Sequence, residues 1–404
     1  MLACIRCGLC LTSCPTYVLS LEEAEGPRGR VGIARALAEG HLTITPDLLE
    51  HQSNCLVCDA CSAVCPAGVH MDPLQVVLRS AIEPQRRRPW WQKAIRGVVF
   101  GWLFMDMRRF RLLVRLLWLY QRTGLQWLAR HLGILKLLGL ASMERLLPSL
   151  PTTFVIPDGG SSRGNTPAAF FAGCVMSTAL ADIDRATLRV LQRQGFSVAN
   201  PKQQGCCGAL HGHGGDLPRA LQLAQQNIAA FEGTTGPIVV NSAGCGAMLK
   251  DYAHHLRADP TWAERAKAFS DRVKDLSQVL TTTLTMQRMP AQRVVYQDAC
   301  HLIHAQRVSQ PPRDLLKAIP GLTLAEVQEP GLCCGSAGIY NVTNPTESRQ
   351  LQQRKLDNAL QADPEVIVTG NPGCLLQLRA GLAERGSSVQ VKHLAEMLDE
   401  ASTP

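Results

Sequence analysis

Eight of the sixteen cysteines fall into two runs of identical spacing near the start of the chain. Both runs have the form Cys-x2-Cys-x2-Cys-x3-Cys-Pro, and the second follows the first by 51 residues. In bacterial two-cluster ferredoxins with this spacing, three close thiolates hold one cluster and the fourth cysteine, before proline, holds the other. The pattern therefore predicts one [4Fe-4S] cluster on Cys4, Cys7, Cys10 and Cys65, and another on Cys55, Cys58, Cys61 and Cys14.

A pair of structural zinc sites is the alternative interpretation, because thiolates also bind zinc. Four-cysteine zinc sites favour two separated pairs over a packed run ending in Cys-Pro, so the clusters are the better interpretation. Between the runs, apolar residues recur near the 3.6-residue period of a helix, which predicts an α-helical ferredoxin module over residues 1–84. These apolar residues are Val31, Ile33, Ala34, Leu37 and Ala38.

Length and composition place the motif within a larger folded protein. The 404 residues are enough for two to three domains, and 46% hydrophobic with 18% charged residues excludes a mainly disordered chain. No apolar signal segment precedes Cys4, so we expect reduced, working cysteines and a cytoplasmic protein. We find neither a Gly-x-Gly-x-x-Gly after a strand nor a Walker loop, which argues against FAD, NAD or ATP binding by a standard motif.

The formal net charge of +8 is concentrated in one segment, residues 85–147, here called the connector. From Arg86 to Arg145 there are thirteen Lys and Arg against two acidic residues, together with five of the six tryptophans. Its longest run without a charged residue, Gly97 to Met105, is far shorter than the roughly 20 residues of a membrane span. Helices lying on an anionic membrane surface are the favoured interpretation, and packing on a partner or on the rest of the chain is the alternative. The segment is too apolar for a nucleic-acid interface.

Beyond a Pro/Gly/Ser linker at residues 148–167, the chain contains a tandem repeat. The cysteines of residues 168–290, the first repeat, recur in residues 291–404, the second repeat, at offsets of 126 to 129 residues. Apolar strands alternate with amphipathic helices in each repeat, which predicts parallel sheets. The predicted strands are 168–175, 237–241, 293–297 and 365–369, and the predicted helices are 178–194 and 345–360. Most of the repeat cysteines are placed on loops at strand ends, where open α/β sheets bind ligands.

Each repeat carries a vicinal Cys-Cys-Gly with one cysteine about 32 residues before it and another about 38 after it. Three chemistries fit: a metal or iron-sulfur site on four thiolates, a redox-active vicinal dithiol, or structural zinc. The candidate metal ligands are Cys174, Cys206, Cys207 and Cys245 in the first repeat, and Cys300, Cys333, Cys334 and Cys374 in the second. Second-choice ligands are the nearby His211, His213, His301 and His304.

These motifs together carry a family resemblance. The double ferredoxin motif, GPRGR between its runs, and the repeats FAGCV...GCCG...SAGCG and DACHL...LCCG...NPGC resemble the iron-sulfur subunit of bacterial glycolate oxidase, also called glycolate dehydrogenase. Iron-sulfur subunits for lactate or glycerol-3-phosphate oxidation and heterodisulfide reductase are related. Two features depart from the family pattern: neither repeat ends in Cys-x-x-Cys, so each offers at most four thiolates, and only three residues precede Cys4.

The resemblance implies an α+β multidomain protein: a helical ferredoxin module with two [4Fe-4S] clusters, a helical basic connector, and two tandem α/β CCG repeats. It implies an electron-transfer subunit without a catalytic residue of its own, serving an FAD-containing dehydrogenase subunit and a second flavoprotein-like subunit. Electrons from glycolate would pass toward a quinone or other membrane acceptor, with the protein peripheral on the inner face of the cytoplasmic membrane. The alternatives are a thiol/disulfide reductase of the heterodisulfide type with catalytic vicinal cysteines, and an iron-sulfur subunit for lactate or glycerol-3-phosphate oxidation.

Overall fold

The structure, a computed structural model, describes residues 2–137, 139–282 and 284–402. The described part of the ferredoxin module consists of helices and turns. Prolines occupy the first turn of three of its helices, where the fixed backbone angle of proline suits a helix and its missing N–H needs no partner. The helices are Pro15–Ser20, Pro27–Ala38, Pro46–Ser53, Ala60–Ala63 and Met71–Ile82, with short 3-10 helices at Glu23–Glu25 and Glu83–Gln85.

The connector is helical and lies with one face on the first repeat. Phe110 and Val114, one turn apart on its longest helix, are buried in the core of the first repeat. That helix begins after Asp106, whose carboxylate accepts a hydrogen bond from the Arg108 backbone N–H at 2.7 Å. The helices are Trp90–Arg96, Met107–Arg122, Leu125–His131, Ile134–Leu137 and Ala141–Arg145, with a π-helix at Gly97–Leu103.

Each repeat contains a four-stranded parallel sheet with the same topology. In the first repeat the strands β1 (Thr166–Phe170), β2 (Phe196–Ala199), β3 (Ile238–Val240) and β4 (Val273–Asp275) lie in the order β2-β1-β3-β4. In the second, β5 (Gln292–Gln297), β6 (Leu322–Ala325), β7 (Val366–Thr369) and β8 (Gln390–His393) lie in the order β6-β5-β7-β8. The six pairings between these eight strands are parallel.

Helices cover both sheets. In the first repeat they are Ala181–Arg193, Ala209–His213, Leu217–Phe231, Ala243–His255, Ala263–Arg272 and Leu276–Val279. In the second they are Gln310–Lys317, Tyr340–Thr343, Pro345–Leu360, Pro372–Glu384 and Leu394–Ser402, with a π-helix at His301–Ala305. Helices Ala181–Arg193 and Leu394–Ser402 pack against each other, so the two repeats share one apolar core.

Several predicted bounds differ from the structure. The strand expected over 168–175 ends at Phe170, and the helix expected from Thr178 begins at Ala181. The reason is a tight loop around Cys174: Gly173 adopts a φ of +64°, and the hydroxyls of Ser177 and Thr178 donate to carbonyls of that loop. The segment 148–167 is also not a free linker, because Val155 is buried and its N–H donates to the Ser177 carbonyl.

Candidate functional site

The eight cysteines of the ferredoxin module line two cavities, four at each. Cys4, Cys7, Cys10 and Cys65 surround the first, beside Arg28. Cys14, Cys55, Cys58 and Cys61 surround the second, beside Arg30. The fourth cysteine of each run thus crosses to the other run. Four thiols around one cavity are the donor set of a [4Fe-4S] cluster, so the residues present at both cavities fit that group.

Arg30 is a buried cation at the second cavity that the sequence reasoning did not single out. Its side chain is almost fully buried and lies 3.9 Å from the Cys14 sulfur. It pairs with the carboxylate of Glu25 at 2.5 Å and donates to the Thr16 hydroxyl at 3.0 Å. Its guanidinium, although paired with Glu25, also interacts favourably with deprotonated Cys55 and Cys14, and charges near a cluster influence its reduction potential.

Burial disfavours the thiolate form of two cysteines at the second cavity. It raises the pKa of Cys58 and of Cys61 well above the usual value of a cysteine, because a thiolate loses its hydration there. Such thiols release their protons when a cation binds, since metal ions and protons compete for the same sulfur.

The first repeat gathers its four cysteines at the carboxyl end of the sheet. The Cys174 thiol donates to the Cys206 sulfur at 3.7 Å, and Cys207 and Cys245 are hydrogen-bonded neighbours in the same cluster. Hydrogen bonds from Cys174 and then Cys207 lower the pKa of Cys206 well below its usual value. Within this set, Cys206 is therefore the thiol that loses its proton most readily.

The second repeat repeats the arrangement. Cys300 donates to Cys333 at 3.9 Å, and Cys334 donates to Cys374 at 3.3 Å. The hydrogen bond to Cys333, together with burial, raises the pKa of Cys334 to about 12. Each repeat therefore presents four clustered thiols, which suit a soft metal ion or an iron-sulfur group.

Two local features bring these thiols together. The glycine after each vicinal pair, Gly208 or Gly335, has a φ above +80°, and the backbone of a neighbouring helix passes close to it. The last cysteine of each repeat, expected on a loop, instead lies in the first turn of the helix that follows the strand. The predicted position after the strand was right and the predicted loop was wrong, because in both repeats the helix begins three residues after the last strand residue.

The second repeat and the ferredoxin module meet at their cysteines. Cys58, Cys300 and Cys333 belong to one buried apolar cluster. Around it, Arg307 donates to the Ala63 carbonyl at 3.0 Å, and Asn344 donates to the Asn54 side chain at 2.7 Å. The second cavity of the ferredoxin module therefore adjoins the thiol cluster of the second repeat.

The four candidate histidines separate into two kinds. His211 donates from Nε2 to the Phe100 carbonyl at 2.9 Å, and His304 donates from Nε2 to the Gly331 carbonyl at 2.9 Å. Both imidazole rings are therefore held by hydrogen bonds to backbone carbonyls. His213 and His301 instead stack on each other with ring centroids 5.7 Å apart and lie beside Asp72. No local motif marks Asp72 in the sequence, because it reaches the histidines only through the packing of three modules.

Three family models match the chain. A 4Fe-4S dicluster domain matches residues 3–69, the linker region of the glycolate oxidase iron-sulfur subunit matches 91–147, and a cysteine-rich domain matches 168–250 and again 294–379. A solved structure of a hypothetical protein from Helicobacter pylori shares the fold, with a TM-score of 0.54 at 11% identity, over 92% of this chain and 66% of that one.

Curated relatives agree with these matches. A probable glycolate oxidase iron-sulfur subunit of Bacillus subtilis is 40% identical over 419 residues, covering 100% of this chain and 94% of the relative. The glycolate oxidase iron-sulfur subunit of Escherichia coli is 29% identical, covering 99% and 93%. Lactate utilization protein A of an Exiguobacterium strain is 30% identical over 57% of this chain and 96% of its own length. By its full-length similarity and its three matched regions, the chain belongs to the glycolate oxidase iron-sulfur subunit family and is an electron-transfer subunit of an oxidoreductase.

Proposed function

We propose that this chain carries electrons from an FAD-containing subunit that oxidises glycolate toward a quinone at the cytoplasmic membrane. A second flavoprotein-like subunit would complete the complex. The observation that carries the proposal is the crossed arrangement of the ferredoxin cysteines, four around each of two adjacent cavities. A [4Fe-4S] cluster bound at such a cavity supplies one-electron chemistry, which suits a chain placed between a flavin and a quinone.

We assign one cluster to Cys4, Cys7, Cys10 and Cys65, and the other to Cys55, Cys58, Cys61 and Cys14. In this proposal the residues of the chain hold the clusters, exclude water and set the local charge. Cys58 is buried among apolar side chains, and Arg30 supplies a buried positive charge at the same cavity. The contact between Cys58 and the thiols of the second repeat supports an extended route, with a further metal or iron-sulfur site on each repeat.

The connector supports attachment to a membrane surface. Trp90 is 81% exposed and Trp127 is 62% exposed. Tryptophan is an amphipathic residue that is enriched at membrane interfaces, so its exposure here supports the proposal. No helix within the described residues is long and apolar enough to cross a bilayer. We propose that the exposed face of the connector lies on the inner leaflet, where basic residues meet anionic head groups.

The proposal is tested with Cys58→Ser in the full chain, co-purified anaerobically with its partner subunits. We expect about four fewer iron atoms and four fewer acid-labile sulfides per chain than the unsubstituted complex contains. Glycolate should still reduce the partner flavin, whereas electron transfer to a soluble quinone analogue should fall at least about a hundredfold. Ala63→Ser is the matched control, because it adds a hydroxyl near the same motif and removes no thiol.

Zinc without sulfide in the anaerobic complex would contradict electron transfer. Flavin reduction by lactate and not by glycolate would favour lactate as the substrate, a candidate that rests on the similarity to lactate utilization protein A. Full quinone reduction by the Cys58→Ser complex would show that the second cavity lies outside the electron route.

A further inference from the structure

A buried polar cluster lies where the ferredoxin module and both repeats meet. Asp72 comes from helix Met71–Ile82, His213 from the end of helix Ala209–His213, and His301 from the π-helix after β5. One carboxylate oxygen and one nitrogen of each imidazole all lie within 4.8 Å of one another. They are close enough for one ion to contact all three after side-chain adjustment.

Two polar side-chain atoms of this cluster have no hydrogen-bond partner. Asp72 Oδ1 and His301 Nε2 have no hydrogen-bond partner, and both residues are buried, with Asp72 2% exposed and His301 8% exposed. The contact between His213 Nε2 and Asp72 Oδ2 is 3.4 Å, longer than an ordinary hydrogen bond. Buried polar atoms without partners are costly, and a bound ion would satisfy both of them.

The charge around the cluster also favours a cation. Asp59 and Asp251 both act electrostatically on the same site as Asp72. Arg79 is close to Asp72, but its guanidinium donates to the carbonyls of Gln52, Ser53, Cys55 and His213 rather than to the carboxylate. The repulsion among the carboxylates is therefore only partly offset.

We propose that Asp72, His213 and His301 bind one divalent transition-metal ion, with zinc as the preferred ion, and that this ion ties the three modules together. Two imidazoles and a carboxylate are a donor set that zinc accepts, with a further position left for water. The set contains no sulfur, so it is chemically distinct from the thiol clusters. His301 nevertheless follows Cys300 directly, and its Nδ1 lies 3.7 Å from the Cys300 sulfur.

The test uses the full chain, purified anaerobically with its iron-sulfur content, with the thiols of both repeats first occupied by cadmium, which thiolates favour, and then given one equivalent of zinc chloride. We expect one zinc per chain and a zinc X-ray absorption spectrum fitted by nitrogen and oxygen at about 2.0–2.2 Å, without sulfur at about 2.3 Å. The zinc-loaded chain should also unfold at a higher temperature than the zinc-free chain, because an ion that binds only the folded state stabilises it.

Three single variants and two controls locate the site. Asp72→Asn, His213→Gln and His301→Gln should each weaken zinc binding at least tenfold and remove the thermal shift, with iron and sulfide contents unchanged. His131→Gln and Asp182→Asn, on exposed surfaces, should bind zinc normally. A sulfur shell in the spectrum of the unsubstituted chain, no bound zinc, or unchanged affinity in all three variants would overturn the proposal. The spectrum of the unsubstituted chain decides the donor set even if one variant fails to fold.

Discussion

At the scale of single residues, the glycines after the vicinal cysteines set the geometry of the thiol clusters. Gly335 has a φ of +82°, and a Cβ built on it would lie 2.4 Å from the Ser348 carbonyl oxygen. The Ser348 hydroxyl in turn donates to the Gly335 carbonyl at 2.8 Å. The helix Pro345–Leu360 therefore packs directly on the turn that aims Cys333 and Cys334 inward.

Gly335→Ala should destabilise the second repeat. An L-residue in the left-handed region costs about 1–2 kcal/mol, and forcing a methyl group into a closely packed site costs about 1–3 kcal/mol. Together these predict a loss of about 2–5 kcal/mol, or roughly 4–20 °C in the midpoint of anaerobic thermal unfolding at about 2–4 °C per kcal/mol. Gly233→Ala is the control, because no heavy atom lies within 4 Å of its Cβ position. Equal midpoints for the two variants would show that the turn tolerates a side chain.

Site residues could be predicted from the sequence where residues of one type recur at the spacing of a known motif. The crossed pairing of Cys14 and Cys65 follows from the ferredoxin spacing alone. Arg30 and Asp72 could not be found in this way, because their importance depends on burial beside residues from other segments. Arg30 occurs in GPRGR, yet the sequence gives no sign that its guanidinium turns inward.

At the scale of elements, the connector has two faces of different character. Its longest helix, Met107–Arg122, buries Phe110 and Val114 on the first repeat and exposes Leu112, Leu116 and Leu119. The spacing of the exposed leucines places them on one side of the helix. Arg115 is also exposed there, so the free face combines leucine with positive charge. The buried face packs on the first repeat, and membrane attachment stays a prediction for the exposed face.

Replacing Leu112, Leu116 and Leu119 with glutamine should weaken membrane attachment. Burial of a leucine contributes about 1.5–3 kcal/mol, so even partial insertion of three predicts at least a tenfold loss of affinity. The measurement is flotation of the full-length complex with vesicles containing phosphatidylglycerol, at low and high salt. Salt should weaken binding of the unsubstituted complex, because it screens the basic residues.

The control for this experiment replaces exposed apolar residues elsewhere, Val77 and Ile156, with glutamine. Those substitutions should leave flotation unchanged. If the unsubstituted complex remains unbound at low salt, the leucine face is better explained as a subunit interface.

Elements were predictable where apolar periodicity is strong and uninterrupted. Helix Pro345–Leu360 agrees with the sequence expectation at both ends. The edge strands β2, β4, β6 and β8 were not identified, because each has only three or four residues and includes exposed or half-buried positions. The order of the strands could not be predicted from the sequence either, because strand pairing depends on contacts between distant segments.

At the scale of the whole molecule, the two repeats are joined by buried polar contacts as well as by apolar packing. The Ala243 N–H donates to the Gly370 carbonyl at 3.1 Å, and the Gly244 N–H donates to the Asn371 side chain at 3.1 Å. Arg189 and Arg193 both pair with Asp399 at the surface. The first turns of the helices that carry Cys245 and Cys374 therefore lie close to each other. The duplication in the sequence does not specify this contact.

His393 makes this interface sensitive to acid. It is buried, donates from Nε2 to the Asn241 carbonyl at 2.9 Å, and accepts at Nδ1 from the Ala395 N–H at 3.1 Å. Burial lowers the pKa of His393 to about 4, so the folded state keeps the ring neutral while the unfolded state takes up a proton below pH 6.5. The free energy of unfolding should therefore fall as the pH decreases from about 6.5 toward 4.

His393→Gln should remove this part of the acid dependence, because glutamine keeps an amide donor but does not titrate. Between pH 8 and pH 5.5, one pH unit below the unfolded pKa, the contribution of His393 amounts to about 1.4 kcal/mol. The measurement is anaerobic urea unfolding of the unsubstituted chain, the variant and the control His41→Gln, whose histidine is exposed. The variant should lose about 1.4 kcal/mol less than the unsubstituted chain over this range, and the control should behave like the unsubstituted chain. Parallel losses in all three proteins would mean that His393 takes up a proton as readily in the folded state as in the unfolded state, in conflict with its burial.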